Sequence, residues 1–174
     1  MLLREEDDDM NYSLIREMDI SNGPGVRVSL FCSGCEFHCK NCFNQSTWDF
    51  NHGSEFTQHE VDEIISLLKR PYISGLSILG GEPLHPRNVA SIHDLIIQVR
   101  KSVPEKTIWL WSGFTFDQLN EEQLSCVKDV DVMVDGRFVD ELKDFRLKYR
   151  GSSNQRVISI KDTIANGKIV EVDD

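Results

Sequence analysis

No apolar run in this 174-residue chain approaches the length, about 18 residues, that spans a bilayer, so no membrane crossing is expected. The N-terminal stretch lacks the apolar core of a secretory signal. Basic charge is scarce: 19 Lys and Arg stand against 29 Asp and Glu, a net charge of −10. That argues against a general nucleic-acid binder, which would carry a basic face. No internal repeat is visible. Nor are the five cysteines spread out to close long loops, as a disulfide framework requires.

The acidity concentrates at one end. Residues 5–9 read Glu-Glu-Asp-Asp-Asp, a self-repelling block expected to be disordered. Residues 1–9 are therefore read as an acidic upstream extension or expression scar, and 10–174 as one domain. The remaining 40% apolar and 28% charged composition is that of an ordinary globular protein.

Four of the cysteines crowd into Cys32-Ser-Gly-Cys35-Glu-Phe-His-Cys39-Lys-Asn-Cys42. Such clustering points to metal or cluster ligation, or to a redox pair, in a reducing compartment, with the chain expected in the cytoplasm. Cys126 stands alone and is expected to be a small buried hydrophobe. All four clustered thiols could hold one zinc, but zinc sites usually draw two ligand pairs from separated segments. All four could close an electron-transfer [4Fe–4S] cluster, although the spacing departs from the ferredoxin run. Cys32 and Cys35 could form a redox pair, leaving two thiols unexplained. Finally, Cys35, Cys39 and Cys42 alone could hold three irons of a [4Fe–4S] cluster and leave the fourth iron open, with Cys32 packed at the end of a strand.

Around this loop, strand-like and helix-like patterns alternate. Val26 to Phe31 alternates apolar and polar residues, as a strand does. Thr57 and Glu60 form a capping box ahead of Val61, Ile64, Ile65 and Leu68. Strands are expected at 76–79, 107–111, 130–134 and 157–160, and helices after Pro86 and at 117–125. Asn166-Gly167 reads as the turn of a terminal hairpin with 168–172. The order implies an α/β fold, an open partial barrel of about five mainly parallel strands. Its ligands would sit at the carboxyl ends of the strands. The cysteine loop, Gly80-Gly81-Glu82-Pro83, Ser112-Gly113 and Asp135-Gly136-Arg137 all fall there. Trp109 and Trp111 share a strand face and are expected in the core.

The three-cysteine spacing followed by Gly80-Gly81-Glu82-Pro83 resembles the radical S-adenosylmethionine (radical SAM) enzymes. Further motifs narrow the likeness: Asn22-Gly23-Pro24-Gly25, Cys42-Phe43-Asn44-Gln45-Ser46-Thr47-Trp48, Trp109-Leu110-Trp111-Ser112-Gly113, Val134-Asp135-Gly136-Arg137-Phe138 and Arg150 to Gln155. Together they resemble the activators of anaerobic (class III) ribonucleoside-triphosphate reductase, from about Met10 to Ile160. The resemblance implies a cluster on Cys35, Cys39 and Cys42 that binds S-adenosylmethionine at its open iron. It implies reductive cleavage to methionine and a 5′-deoxyadenosyl radical, which takes a hydrogen from a backbone glycine of the reductase. A one-electron donor such as a flavodoxin or ferredoxin is implied. Gly80, Gly81 and Glu82 are then expected at the cofactor's amino group. Ser112 and Asp135 would supply further polar contacts. Many radical SAM loops carry an aromatic residue just before the third cysteine; here that residue is Asn41. The adenine contact is therefore expected from the Asn41 backbone and Phe43.

Overall fold

The computed structural model describes residues 9–172. The acidic extension expected over 1–9 lies outside these except for Asp9. Strands are β1 (Asn11–Asp19), β2 (Val26–Cys32), β3 (Ser54–Glu55), β4 (Ile73–Gly80), β5 (Thr107–Trp111), β6 (Val132–Asp135) and β7 (Arg156–Ser159). Helices are α1 (Gln58–Leu68), α2 (Val89–Ser102), α3 (Glu121–Val127) and α4 (Ile160–Asn166).

All seven strands join one open sheet in the order β3-β1-β2-β4-β5-β6-β7. Its centre, β2-β4-β5-β6, is parallel, while β1 and β7 run against their neighbours. The expected parallel core is present, within a larger sheet than the five strands anticipated.

The β1 strand escaped the sequence pattern for a physical reason. Its pairing with β2 slips between Tyr12 and Leu14 and again between Arg16 and Asp19, so the apolar alternation is broken twice. The terminal hairpin is also corrected. Gly167 adopts φ 67 and caps α4, a helix placed between the paired segments. Residues 170–172 do return to β7, through Ser159 N–H to Val170 O at 2.8 Å and Val172 N–H to Val157 O at 2.7 Å. The helix expected at 117–125 divides into a 3-10 turn at Phe116–Gln118 and α3.

Strand alternation sorts the core into two faces. Val28, Leu30 and Cys32 of β2 and Ile108 and Leu110 of β5 turn toward the helices, joining Ile64, Leu68, Ile92, Leu95 and Ile96 in the main core. The opposite face carries Trp109, Val132, Val134 and Val157, with Trp111 and Tyr149 against them. On that face Arg27 is fully buried. It donates to Ser77 Oγ, the Pro24 carbonyl, Thr107 Oγ1, and the Leu76 and Thr107 carbonyls. Burial lowers its pKa to about 10. Much of the Asn22-Gly23-Pro24-Gly25 motif thus serves to cage this guanidinium at the amino ends of the strands, far from the cysteine loop.

Candidate metal and cofactor site

The cysteine loop begins where β2 ends. Strand pairing sets Cys32 beside Gly80, so the loop and the Gly80-Gly81-Glu82 turn leave the sheet side by side. Backbone bonds join them: Gly81 N–H donates to Cys32 O at 2.8 Å and Glu82 N–H to Gly34 O at 2.7 Å. Gly80 has φ 109, and a Cβ on Gly81 would meet Gly34 O at 2.6 Å. The two glycines therefore permit the turn to lie against the cysteine loop.

A further tie was not legible in the sequence. Asn88, 1% exposed just before α2, donates its side-chain amide to Ser33 O and Glu82 O, both at 3.0 Å. It precedes a helix as an ordinary capping residue would, but its side chain makes no cap hydrogen bond.

The sequence expected the Glu82 carboxylate to be open to a ligand. Instead it is 2% exposed and fully engaged. It accepts from Gly113 N–H at 2.6 Å, Ser112 Oγ–H at 2.8 Å and Leu84 N–H at 2.9 Å. Burial pushes its pKa up to about 7, against the opposing effect of these hydrogen bonds. Ser112 has spent its only side-chain donor on Glu82. Glu82 and Ser112 together clamp the end of β4 to the end of β5.

Asp135 ends β6 as anticipated, but its carboxylate is 1% exposed and bound by Arg156 at 2.6 and 3.0 Å and by Phe116 N–H at 2.8 Å. Arg156 also reaches Asp117 at 3.1 Å. Asp135 is not in the wall of the cleft described below; it fixes the strand end.

These loops surround one cleft of about 830 Å³. Cys35, Cys39, Cys42, Phe43, Gly80, Gly81, Glu82 and Ser112 all contribute to its wall, whereas Asn41 does not. Asn41 is exposed with φ 57. Phe43 is 65% exposed and packs on Phe138 with ring centroids 5.1 Å apart. His38 lies flat on Trp48, with ring centroids 4.4 Å apart.

The donor set suits an iron–sulfur cluster. Burial pushes the Cys35 thiol up to about 11 and raises Cys39 as well. Backbone amides oppose this, from Phe37 and His38 at Cys35 and from Phe138 at Cys39. Asn44 N–H reaches Cys42 Sγ at 3.4 Å. Such donors stabilise sulfur that carries negative charge. Trp48 Nε1 is buried without an acceptor among the described residues, beside the loop. Among the described residues no three His, Cys, Asp or Glu side chains form a group for one metal ion. A cluster, whose thiolates bond different irons, tolerates wider spacing than a tetrahedral zinc with ~2.3 Å bonds. Cys32 is fully buried in the main core with its pKa raised by desolvation, so it packs as a neutral thiol.

Sequence comparison agrees with this geometry. The family described as 4Fe-4S single cluster domain matches residues 21–158. An anaerobic ribonucleoside-triphosphate reductase-activating protein from Escherichia coli strain K12 is 47% identical over 150 residues, covering 85% of this chain and 97% of the relative. Proteins of the same name from Vibrio cholerae and Enterobacteria phage T4 are 45% and 44% identical, covering 84% and 89% of this chain and 96% and 97% of theirs. With its cysteine loop, its clamped glycine turn and this likeness over most of its length, the chain belongs to the family of anaerobic ribonucleoside-triphosphate reductase-activating proteins.

Proposed function

We propose that this protein is a radical SAM activase that installs a glycyl radical on an anaerobic ribonucleoside-triphosphate reductase. One observation carries the reading: the three-cysteine loop is bonded, backbone to backbone, to the Gly80-Gly81-Glu82 turn at the head of a single cleft. A cluster and the methionyl end of its cofactor need these two elements in contact. The open sheet serves as a partial barrel.

Cys35, Cys39 and Cys42 would hold the [4Fe–4S] cluster, and the amides around them would stabilise its sulfurs. When bound, the cluster and S-adenosylmethionine supply one-electron cleavage of a sulfonium carbon–sulfur bond and a 5′-deoxyadenosyl radical. The protein's part is placement and shielding. The Gly80-Gly81 backbone faces the cofactor's amino group. Glu82, Ser112 and Asn88 hold that turn in register, and Asp135 with Arg156 fixes the neighbouring strand end. Phe43 offers a face to the adenine, with the Asn41 backbone beside it. The electron would come from a small donor such as a flavodoxin or ferredoxin, in the cytoplasm. No helix among the described residues is long and apolar enough to cross a membrane.

Electron paramagnetic resonance on anaerobically reconstituted, reduced protein tests the site. A cluster signal that changes when S-adenosylmethionine is added is expected. A cluster signal indifferent to it, or zinc in place of iron, would overturn the reading.

A further inference from the structure

Three arginines line the cleft: Arg16, Arg137 and Arg150. Arg16 contacts the Asp19 carboxylate, and Arg150 donates to the Ser153 and Gln155 carbonyls. The Arg137 guanidinium has neither kind of partner among the described residues. Its central carbon instead sits 4.4 Å from the centre of the Phe37 ring, over its face. Phe37 belongs to the cysteine loop, midway between Cys35 and Cys39.

Both sides of this contact are fixed. The Phe37 ring meets the Phe114 ring edge-on, with centroids 4.8 Å apart, and a Cβ on Gly113 would come within 2.6 Å of it. Only glycine leaves room for the ring there. On the other side, Gly136 turns the chain with φ 98 directly after β6. Gln155 Nε2–H donates to Gly136 O at 3.0 Å and Asn154 Nδ2–H to Arg137 O at 2.8 Å, so the backbone that carries the arginine is pinned. The same stretch serves Cys39. The Phe138 amide bonds its sulfur, and the Arg137 charge favours its thiolate, both against the burial that raises its pKa.

An unneutralised cation is thus held by stacking at the part of the wall where charge has to change. A [4Fe–4S] cluster on three thiolates is already anionic, and reduction adds one more negative charge. The net charge of −10 on the chain opposes that step. Cluster potentials respond to nearby charge and to hydrogen bonds at the sulfurs.

We infer that Arg137 sets how readily the cluster accepts its electron: it is a positioning residue whose fixed charge, braced on Phe37, acts through Cys39. This rests on the activase reading and adds control of its first step. One electron passes from the small donor protein, of flavodoxin or ferredoxin type, to the cluster. The donor is oxidised and the cluster reduced, with no bond or proton moved. Arg137 stabilises the reduced form more than the oxidised form, because the reduced form carries the larger negative charge. The side chain is exposed, so solvent and salt screen part of the effect.

The test uses the full chain with reconstituted cluster, titrated against potential and followed by electron paramagnetic resonance, without reductase or S-adenosylmethionine. Wild type is compared with Arg137→Gln and Arg137→Lys. Iron content and circular dichroism are expected to match in all three. In Arg137→Gln the ratio of reduced to oxidised cluster at a fixed potential is expected to fall at least threefold, a midpoint roughly 30 mV more negative at about 59 mV per tenfold change. Arg137→Lys keeps the charge and should recover most of that loss. The gap between wild type and Arg137→Gln should shrink as salt rises. An unchanged midpoint in Arg137→Gln would overturn the inference. So would an equal fall in Arg137→Lys, which would assign the effect to packing on Phe37, or a loss of iron in Arg137→Gln, which would assign the residue to holding the loop. A wild-type cluster signal indifferent to added S-adenosylmethionine would instead remove the activase reading, and this role with it.

Discussion

Replacing Cys39 with Ser is expected to leave a folded chain that cannot hold an intact cluster. Cys39 lies in a loop outside both apolar clusters, so little packing is lost. What disappears is a thiolate beside Cys42 and the Phe138 amide. Iron content should fall and radical formation on the reductase should drop by more than about 100-fold, beyond the 10–100-fold typical of outer-shell changes at metal sites. Cys32→Ser is the contrasting variant. It places a hydroxyl in the apolar core and is expected to cost stability by about 1–3 kcal/mol. Its cluster and its spectroscopic response to S-adenosylmethionine should survive. Iron analysis and thermal melting of both variants separate ligation from packing. Loss of the cluster in Cys32→Ser at a temperature where the chain is folded would favour a four-thiolate site.

Glu82 should give the second large effect, in both stability and pH dependence. Glu82→Ala strands the Gly113 and Leu84 amides and the Ser112 hydroxyl, all three of which donate to this carboxylate. Orphaned buried donors cost about 1–3 kcal/mol each, so a loss of roughly 3 kcal/mol or more is expected. The clamp between the ends of β4 and β5 opens, and S-adenosylmethionine binding should weaken at least about tenfold. Glu82→Gln keeps the shape but turns an amino group toward donors, so it too starts less stable than wild type. The pH dependence separates the two. Burial raises the Glu82 pKa from its usual 4.5 to about 7, so the fold favours the protonated acid. The stability this adds is complete below the unfolded-state value and is lost as pH rises through about 7. The stability gap between wild type and Glu82→Gln should therefore narrow from about pH 5 to about pH 8 and then level off. Melting curves of both proteins across that range check it. A gap independent of pH would mean that Glu82 is ionised throughout.

What could be read from the residues was local. The capping box at Thr57 and Glu60 is present, with Thr57 N–H donating to Glu60 at 2.6 Å, because all its partners lie within one turn. The cysteine spacing and the Gly80-Gly81 pair were visible as short motifs, although the contact between them joins residues nearly fifty positions apart. For Cys32 the residues left ligation, redox pairing and packing at a strand end open; strand alternation fitted the last, and the core includes Cys32. The site's bracing was not legible, because its partners are distant in sequence: Asn88 and Ser33 are 55 residues apart, Glu82 and Ser112 30, and Asp135 and Arg156 21. Asp135 shows the limit well. Its position at a strand end was correctly read, but only the packed structure shows its carboxylate committed to Arg156. Pattern likewise missed β1, whose two register slips spoil the alternation.

The most direct measurement is electron paramagnetic resonance on the reductase after anaerobic incubation with this protein, S-adenosylmethionine and a reductant. A radical on the reductase is expected, formed together with methionine and 5′-deoxyadenosine, whose hyperfine splitting collapses when the reductase carries α-deuterated glycine. Cofactor cleavage that leaves no radical on the reductase, or a radical unaffected by the glycine label, would contradict it.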